Sequence, residues 1–409
     1  MEKKLSVIGL GYIGLPTAIM FAANGVKVIG TDNNPDLVDT LHSGELTFEE
    51  KGLGKLFFES LQNGIEFTTE FQSADVYIVA VPTPYIKSTK KIDPSYVVNA
   101  VKSVLAIAPK GAILIIESTI SPGTIDQYIR PLILEMGLSA GEDIHLAHAP
   151  ERILPGNMIY ELEHNSRTIG ADDPVICEEI RDLYAHFCKA EIVLTDIRTA
   201  EMTKVIENTY RDINIAFANE LARICNRANL DVYKIIQIAN KHPRVKILQP
   251  GPGVGGHCIS VDPWFLVGDY PDLVNIVLSA RQVNENMPDY ILSRIRAIME
   301  ENGITDIGKV GLYGLTYKED IDDVRESPTL QLLEKMANHL AFGIKVYDPL
   351  INKKIVENQY LDFDEFLEEM DLLVILVAHK HIKENIDKIR DKLIFDTRNA
   401  VEIEGTYRL

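Results

Sequence analysis

The feature that most constrains the fold is a run of short apolar strands separated by glycine turns and helices, beginning at the N-terminus. The stretch KLSVIGLGYIGLPTAIMFAANGVKVIGTDNNP predicts a strand at 5–10, a helix at 13–23 that stops at Gly25, and a strand at 27–31. Later segments continue the alternation, with strands expected at 75–84, 112–119 and 144–150 and helices at 95–106 and 124–136. Apolar strands that alternate with helices indicate a parallel sheet covered on both faces.

The pattern changes at residue 196 and returns at residue 307. The segment from 197 to 230 contains no Gly or Pro and keeps an apolar face with helical periodicity, which predicts one long helix followed by further helices. Four later segments, KVGLYGLTYK, GIKVYDP, DLLVILVAHK and KLIFDTRN, echo the earlier strand segments in order. We therefore expect an internal repeat, with two doubly wound α/β domains joined by a long-helix central region. The long helix exceeds what one small domain can bury, so it is expected to pack against a second subunit.

The first turn carries a phosphate-binding signature. Gly9, Gly11 and Gly14 form G-x-G-x-x-G between a strand and a helix, and the next strand ends at Asp32. In this context the glycines allow a pyrophosphate to approach the helix N-terminus, and the acid accepts from the ribose hydroxyls. The negative charge of Asp32 disfavours a 2′-phosphate, so the pattern predicts NAD over NADP in a Rossmann-like domain. The alternative is a glycine turn without a ligand. The equivalent loop of the second repeat, GLYGLTYK, lacks the third glycine, so a different ligand is expected there.

Charge and amino-acid composition limit the classes of partner that the chain is expected to bind. The formal net charge is −19, which disfavours binding to nucleic acid or to an anionic membrane. No apolar run is long enough to predict a membrane span. The N-terminal stretch resembles a signal peptide, but the dinucleotide signature explains its glycines better. The chain has four cysteines and no C-x-x-C pair, so a reducing cytoplasm is expected rather than a disulfide framework.

One cysteine stands apart from the other three. Cys177, Cys188 and Cys225 lie in apolar patterns that are typical of core positions, whereas Cys258 follows a glycine pair in GPGVGGHCISVDPW. A thiol on such a segment is a candidate nucleophile, with Asp262 four residues further on. The alternatives are a structural cysteine in a glycine-rich turn and a metal site at His257–Cys258, for which no second ligand pair exists, so no metal is expected.

Two further sets of polar residues are candidates for the site. Lys204 and Asn208 are four residues apart on the long helix and share one face, from which they could stabilise an oxyanion; the alternative is a solvated lysine beside a polar neighbour. Thr83 and Thr119 stand at the ends of two predicted strands, where ligands of open α/β sheets bind, although ordinary turn chemistry also places threonine there.

Taken together, these segments resemble the family of nucleotide-sugar 6-dehydrogenases, which oxidise a UDP-sugar or GDP-mannose to the uronic acid. The resemblance spans essentially the whole chain and is carried by GLGYIGLP, VPTP, EST, PER, AEMTKVIENTYRDINIAFANELA, GPGVGGHCISVDPWFL, GLTYKEDIDDVRESP and FDTRN. It implies an NAD-binding Rossmann domain at 1–195, a central helical dimerisation region at 196–300 and a UDP-sugar-binding Rossmann-like domain at 301–409. It also implies two NAD per turnover, a cysteine that traps an aldehyde, and a homo-oligomer that is at least a dimer.

The resemblance also implies residue roles. Cys258 corresponds to the nucleophile, Lys204 and Asn208 to the groups that stabilise the oxyanion, and Asp262 to the acid that positions or activates water. The residues implied in NAD binding are Gly9, Gly11, Tyr12, Ile13, Gly14, Asp32, Thr83, Thr119 and Arg325. The residues implied in substrate binding are Arg152, Ile153, Lys204, Asn208, Arg211, His242, Arg244, Gly255, Tyr317, Lys318 and Arg398, with His242 and Arg244 offered across the subunit boundary.

Departures from the family pattern narrow the range of expected nucleotide-sugar substrates. Enzymes for UDP-glucose and GDP-mannose tend to carry Ser before the cysteine and Lys before the acid, where this chain has His257 and Val261. They also carry a second glutamate where this chain has Pro155, so its role in hydrolysis passes to Glu151 or Asp262. The segments most resemble the branch that oxidises UDP-N-acetyl-D-mannosamine to its uronate. The alternatives are the same chemistry on UDP-N-acetylglucosamine and a non-catalytic protein that binds NAD or a nucleotide-sugar.

Overall fold

The chain folds as two units, Met1–Glu207 and Asn208–Leu409, and one long helix crosses the boundary between them. The computed structural model describes residues 3–256, 258–338 and 343–409. His257, which the sequence placed beside the candidate nucleophile, therefore lies outside the described residues.

The first unit alternates strands with helices from its first described residues. Its strands are β1 Lys4–Ile8, β2 Lys27–Thr31, β3 Glu66–Thr68, β4 Val76–Val79, β5 Ala112–Ile116, β6 Ile144–His148, β7 Arg167–Ala171 and β8 Ile192–Thr195. Its helices are α1 Gly14–Ala23, α2 Pro35–His42, α3 Leu53–Gln62, α4 Ser95–Leu105, α5 Arg130–Glu135, α6 Met158–His164 and α7 Pro174–Tyr184, after which α8 Ile197–Arg227 begins.

These strands form one sheet in the order β3-β2-β1-β4-β5-β6-β7-β8. The predicted strands and helices up to β6 are confirmed, with ends that differ by a few residues, except that the helix predicted at 124–136 is not continuous. The sheet is not purely parallel, however, because β7 pairs antiparallel to β6, and β8 runs parallel to β7. This edge was not predicted, because β7 and β8 are short and come after the irregular PERILPG segment. The order reverses at β1 and β4, which is where open sheets of this type bind ligands.

Local sequence explains how the first unit's helices begin and end. Helix α1 ends at Asn24 and Gly25, whose φ of 87° suits a glycine beyond a helix C-terminus. Helix α2 begins at Asn34, whose side chain accepts from the backbone N–H groups of Asp36 and Leu37. The helix predicted at 124–136 is interrupted, because Ile125–Ile129 forms a π-helical turn before α5. Pro131 lacks the N–H that a regular helix needs, which accounts for the wider turn before it.

The second unit begins with helices and then repeats the strand pattern. After α8 its helices are α9 Val232–Ala239, α10 Asp262–Asp269, α11 Asn275–Glu285, α12 Met287–Glu301, α13 Pro328–Asn338, α14 Phe363–Glu368, α15 Lys380–Glu384 and α16 Ile386–Ile389. Its strands are β9 Val310–Tyr313, β10 Lys345–Tyr347, β11 Gln359–Tyr360, β12 Leu372–Ile375, β13 Leu393–Asp396 and β14 Tyr407–Arg408. The long helix and the four predicted strands are confirmed.

The internal repeat is confirmed by topology and by individual hydrogen bonds. The second sheet has the order β11-β10-β9-β12-β13-β14, which matches the first six strands of the first sheet, and its pairs are parallel. In the first unit the Gly9 N–H donates to the Thr31 carbonyl at 2.8 Å, and in the second the Gly314 N–H donates to the Tyr347 carbonyl at 2.8 Å. Both glycines have positive φ, 89° and 101°. The two halves therefore build the same turn at the same place.

Each unit buries its own apolar core. The first core packs α1, α3 and α7 against the sheet, and Cys177 and Cys188 lie in it as predicted. In the second unit, one cluster joins α9 and α12 to the sheet and contains Cys225, and another lies around Phe366. The packing of these cores fixes the positions of the strands in each sheet. The candidate site residues lie near the carboxyl ends of those strands.

Candidate functional site

The glycine turn of the first unit packs tightly at two glycines and is open at the third. A Cβ on Gly9 would lie 2.7 Å from the Ala80 carbonyl oxygen, and a Cβ on Gly14 would overlap the Gly9 carbonyl oxygen, so both positions need glycine to pack. A Cβ on Gly11 would meet no atom within 4 Å, and this residue is exposed. Ile13 starts α1 without a side-chain cap hydrogen bond. The helix N-terminus is thus available to an anion beside the open glycine.

Asp32 holds this turn in shape. Its carboxylate accepts from the Leu10 N–H at 2.8 Å and from the Asn34 N–H at 2.9 Å. The side chain is half-buried at the end of β2. Tyr12 stacks on Phe48 with ring centroids 4.5 Å apart, so the segment before α3 packs over the turn. Gly9, Gly11, Tyr12, Ile13, Gly14 and Asp32 therefore share one edge of the sheet.

The two threonines lie beyond neighbouring strands, as predicted. Thr83 follows β4, Thr119 follows β5, and both are half-buried. Between them, the Ser118 hydroxyl donates to the Val81 carbonyl at 2.7 Å and ties the two strand ends together. Because β4 adjoins β1, these threonines stand at the same edge of the sheet as the glycine turn.

The segment after β6 is held by hydrogen bonds within the first unit. The guanidinium of Arg152 donates to Glu207 at 3.0 Å and to Thr168 at 2.9 Å, and Ile153 is buried. Glu50 accepts from the N–H groups of Gly156 and Met158 at 2.7 and 3.1 Å and so fixes the start of α6. The structure thus places Arg152 in internal contacts, and its role toward a substrate stays a prediction.

A buried cluster of charged residues lies at the same edge and was missed by the sequence analysis. The Arg167 guanidinium contacts both the Glu117 carboxylate, at 3.2 Å, and the Glu151 carboxylate. The Tyr184 hydroxyl donates to Glu117 at 2.9 Å. Burial raises the pKa of Glu117 to about 7 against the opposing charge of Arg167, and the charge of Glu151 adds to the rise. The EST and PER segments contained both acids, but nothing in their spacing indicated the shared arginine.

The lysine and asparagine of the long helix are both buried. Lys204 is 7% exposed and Asn208 is 6% exposed, so the alternative of a solvated lysine is wrong. In the first unit, Lys204 lies near His148, whose ring is wholly buried at the end of β6. Burial lowers the pKa of His148 to about 3, with a smaller contribution from the charge of Lys204. His148 is therefore neutral at physiological pH.

In the second unit, Asn208 and Asp262 form a direct pair. The Asn208 side-chain amide donates to the Asp262 carboxylate at 2.6 Å, and Asp262 is 2% exposed. The Asp262 N–H donates to the Cys258 carbonyl at 2.9 Å, so the cysteine and the acid are one turn apart at the start of α10. Cys258 itself is half-buried. Three of the four predicted catalytic residues therefore lie together in this unit.

The glycines before Cys258 serve packing within the chain. A Cβ on Gly255 would lie 2.6 Å from both the Glu326 carbonyl oxygen and the Tyr317 Cβ. Gly256 has a φ of 79° and donates its N–H to the Arg325 carbonyl at 3.0 Å. Such a positive φ lies in the left-handed region that favours glycine. The close approach that these glycines permit in this structure is to the segment at 317–328, and contact of Gly255 with a ligand stays a prediction.

Predicted substrate residues surround a cleft at the carboxyl ends of the second sheet. Tyr317 and Lys318 follow β9, Arg398 follows β13, and all three line the cleft with Gly253 and Val377. The Arg398 guanidinium lies 3.8 Å from the Glu319 carboxylate. Two cations at a topological switch point suit a diphosphate.

The other predicted residues of this unit lie outside that cleft. Arg211 is exposed on α8, and His242 and Arg244 are exposed in the segment after α9. The Asn214 side-chain amide donates to the Lys246 carbonyl at 2.8 Å and so anchors this segment to α8. Arg325 is exposed and pairs with Asp323 at 2.6 Å.

The second repeat also has a counterpart of Asp32. The Asp348 carboxylate accepts from the Leu315 and Leu350 N–H groups at 2.6 and 2.9 Å, the same pattern that Asp32 makes. Asp348 is buried, and its carboxylate faces His379 at 3.3 Å. A buried acid that already faces a histidine is poorly placed to receive a ribose, which agrees with the prediction of a different ligand at the second turn.

Across the described residues, no group of three or more His, Cys, Asp or Glu side chains is arranged to hold a metal ion. In the same part of the chain, no helix is both long and apolar enough to span a membrane.

The fold and the sites are those of an α/β oxidoreductase, with a glycine turn of the dinucleotide-binding type in one half and a cleft lined by Lys318 and Arg398 in the other. Residues 3–188 match the NAD binding domain of the UDP-glucose/GDP-mannose dehydrogenase family, residues 198–286 its central domain and residues 311–403 its UDP binding domain. The chain belongs to this family, and it is a nicotinamide-dependent dehydrogenase.

Relatives of known name agree with this assignment. The chain is 41% identical to UDP-N-acetyl-D-mannosamine dehydrogenase of Methanocaldococcus jannaschii, over 98% of this chain and 93% of the relative. It is 38% identical to an NDP-N-acetyl-D-galactosaminuronic acid dehydrogenase of Ralstonia nicotianae, over 97% and 96%. The structure of the Staphylococcus aureus UDP-N-acetyl-mannosamine dehydrogenase matches with a TM-score of 0.89 and 42% identity, over 99% of this chain and 98% of that one.

Proposed function

We propose that the protein oxidises the C6 alcohol of UDP-N-acetyl-D-mannosamine to UDP-N-acetyl-D-mannosaminuronate in two NAD-dependent steps. Support comes from the relatives that carry this activity in their names and from the GVGGHCISVDPWFL and PERILPG segments. The division into an NAD-binding domain at 1–195, a central helical region at 196–300 and a UDP-sugar-binding domain at 301–409 belongs to the same proposal.

The single observation that carries the chemistry is the arrangement of Cys258, Asp262 and Asn208. A half-buried thiol lies one helical turn from a buried carboxylate, and an amide holds that carboxylate at 2.6 Å. A protein that only binds a nucleotide-sugar has no need for a thiol beside a fixed carboxylate. This arrangement therefore favours catalysis over the non-catalytic alternative.

The first unit is proposed to hold NAD. Gly9, Gly11 and Gly14 permit the pyrophosphate to approach α1, and Asp32 accepts from the ribose hydroxyls and repels a 2′-phosphate. The proposed NAD site also includes Tyr12, Ile13, Thr83 and Thr119. Arg325 is assigned to the same site by family resemblance. NAD held by these residues would supply the hydride acceptor for each of the two oxidations.

In the second step Cys258 makes the aldehyde oxidisable. An aldehyde must become tetrahedral before it can lose a hydride, and the Cys258 sulfur adds to its carbon to give a thiohemiacetal. Lys204 and Asn208 stabilise the oxyanion, and Lys204 also serves in proton transfer. Loss of the hydride leaves a thioester on Cys258. Water then cleaves it to the carboxylic acid and restores the thiol, with Asp262 or Glu151 guiding the water.

The second unit is proposed to hold the UDP-sugar. Lys318 and Arg398 in the cleft balance the diphosphate charge, which explains how a chain of net charge −19 binds an anion. Tyr317 and Gly255 are assigned to the same UDP-sugar site. Arg152, Ile153 and Arg211 are further substrate positions assigned by resemblance, as are His242 and Arg244 from a second subunit.

The protein is proposed to be a homo-oligomer, at least a dimer, in the cytoplasm. Helix α8 exposes large apolar side chains at intervals of four, seven and seven residues, which places them on one face: Ile206, Tyr210, Phe217 and Ile224, each 50–61% exposed. A second copy of the helix would cover this face. None of the four cysteines forms a disulfide, which is compatible with a reducing compartment.

A panel of nucleotide-sugars tests the proposal. The protein is mixed with NAD and each sugar, NADH is followed by absorbance, and the product is identified by mass spectrometry and by comparison with authentic uronates. UDP-N-acetyl-D-mannosamine is expected to give two NADH per sugar. Turnover of UDP-N-acetylglucosamine instead would favour that substrate, and no NADH with any sugar would favour a binding protein.

A further inference from the structure

The segment at 315–320, called here the cleft loop, follows β9 and brings Tyr317 and Lys318 to the lining of the second unit's cleft. This segment forms neither helix nor strand. Regular hydrogen bonding therefore does not fix its course, and contacts with the rest of the unit must do so. Two buried side chains supply such contacts, Asp348 directly after β10 and His379 directly before α15.

Asp348 and His379 hold the cleft loop at both of its ends. One Asp348 oxygen, Oδ2, accepts from the Leu315 N–H at 2.6 Å and from the Thr316 N–H at 3.1 Å. The Nε2 atom of His379 lies 3.2 Å from Thr316 Oγ1 and 3.3 Å from the same Asp348 oxygen. On the other side of the ring, Nδ1 lies 3.0 Å from the Asp320 nitrogen. One imidazole thus spans the loop.

The donors determine the direction of each hydrogen bond in this chain. The Asp320 backbone N–H can only donate, so Nδ1 of His379 accepts and the ring hydrogen lies on Nε2. That hydrogen has two acceptors within reach, Thr316 Oγ1 and the Asp348 carboxylate. The Thr316 hydroxyl donates its own hydrogen to the Lys318 carbonyl at 2.9 Å. Every donor in the chain therefore meets an acceptor, from Asp320 through His379 to Lys318.

The internal repeat indicates what this chain replaces. Thr316 lies three residues beyond β9, where the first unit has the open glycine Gly11 three residues beyond β1. His379 lies four residues beyond β12, where the first unit has Thr83 four residues beyond β4. Gly11 and Thr83 belong to the proposed NAD site. In the second unit the equivalent positions bind each other, so the same edge of the fold carries a fixed loop.

We propose that His379 is a positioning residue for the UDP-sugar, which holds the cleft loop in the conformation that presents Lys318 and Tyr317 to the UDP group. The inference rests on the function proposed above, in which this cleft binds UDP. A loop that is ordered before the ligand arrives does not lose conformational freedom on binding, so His379 raises the affinity for UDP. His379 is 0% exposed and therefore acts through the loop rather than by contact with the ligand.

The test measures the dissociation constant for UDP by isothermal titration of the full chain. An asparagine amide reaches the place of Nδ1 and a glutamine amide reaches the place of Nε2. His379→Asn and His379→Gln therefore each keep one end of the hydrogen-bond chain and lose the other. Each is expected to raise the dissociation constant for UDP about 5- to 20-fold, which corresponds to the loss of one or two hydrogen bonds. The affinity for NAD should not change, because NAD is proposed to bind the first unit.

Thr316 provides a second line of evidence. Thr316→Val removes the hydroxyl at the centre of the chain and should weaken UDP binding, whereas Thr316→Ser keeps the hydroxyl and should bind UDP like the unmodified protein. When His379→Asn is combined with Thr316→Val, little further loss is expected, because both changes interrupt the same hydrogen bond.

His381→Asn is the matched control. His381 lies two residues from His379 on α15, and its ring contacts the Tyr313 hydroxyl at 3.1 Å instead of the cleft loop. This variant removes an imidazole from the same part of the unit and should leave the affinity for UDP unchanged.

Each outcome bears on the inference. It is overturned if the His379 variants bind UDP as tightly as the unmodified protein, if they weaken NAD binding equally, or if His381→Asn weakens UDP binding as much. It is also overturned if the double variant loses the sum of the two single losses in binding free energy. Should the His379 variants not fold, equal UDP affinity in Thr316→Val and Thr316→Ser would overturn it. If the unmodified protein does not bind UDP, the proposed function fails and the inference falls with it.

Discussion

Asp32 offers the sharpest test of the cofactor site, because the chain contains its own control. In the structure the Asp32 carboxylate makes two hydrogen bonds to backbone N–H groups and is half-buried. In the complex it is expected to accept also from the ribose hydroxyls of NAD. Asp32→Ala removes charge-assisted bonds, which are worth about 1–3 kcal/mol in total to NAD binding after allowance for solvent. The dissociation constant for NAD should therefore rise roughly 5- to 150-fold.

The control is the equivalent acid of the second repeat. Asp348 makes the same two types of backbone hydrogen bond, but it is buried against His379. Asp32→Asn and Asp348→Asn each remove one negative charge and keep one oxygen that can accept from the loop. Asp32→Asn alone is expected to weaken NAD binding and to narrow the preference for NAD over NADP.

Isothermal titration with NAD and NADP measures both effects on protein whose folding has been checked by circular dichroism. An unchanged affinity for NAD in Asp32→Ala would refute the ribose assignment. An equal loss in Asp348→Asn would show that the effect comes from a general change in charge or stability.

Three other predictions concern separate parts of the molecule. Because the pKa of Glu117 is raised from 4.5 to about 7 in the folded state, the unfolded chain loses this proton first as pH rises. The unmodified protein should therefore lose about 3 kcal/mol of unfolding free energy between roughly pH 4.5 and 7, and denaturant titrations of Glu117→Gln should lack this loss. Arg244→Ala should weaken binding of the UDP-sugar. When Arg244→Ala chains are mixed with Cys258→Ala chains, activity should return, because a mixed dimer can form one site in which both residues are intact. Mixed dimers without activity would contradict a site shared between subunits. Lys204→Ala should lower turnover about 10²–10³-fold if Lys204 stabilises the oxyanion, and a change in KM alone would contradict that role.

Much of the fold could be predicted because its signals are local. Short sequence segments of a few dozen residues were enough to predict the glycine turn, the apolar strands and the long helix without Gly or Pro. The second sheet then repeats the strand order of the first. The antiparallel edge at β7 and β8 was missed since two short strands after an irregular segment have no distinctive period. The π-helical turn before Pro131 was likewise hidden within a pattern that predicts a regular helix.

The site was predictable only where its residues are close in sequence. Cys258 and Asp262 are one turn apart, and their proximity follows from their spacing. By contrast, the contact between Glu117 and Arg167 joins positions 50 residues apart, which only the strand order brings together. The burial of Lys204 could not be decided by its helix face, because the apolar pattern does not say what covers that face. The packing of Gly255 against Tyr317 also depends on tertiary contacts that no spacing reveals.

The central claim is that Cys258 carries the sugar through the second oxidation as a thioester. The most direct measurement supplies UDP-N-acetyl-D-mannosamine and excess NAD to Cys258→Ser, counts NADH per sugar, and looks for the uronate by mass spectrometry. Serine has nearly the same shape but is far less ionised, so binding of sugar and NAD should persist while uronate formation falls by on the order of 10³-fold or more. Formation of the uronate with two NADH per sugar at a rate near that of the unmodified protein would contradict the thioester mechanism.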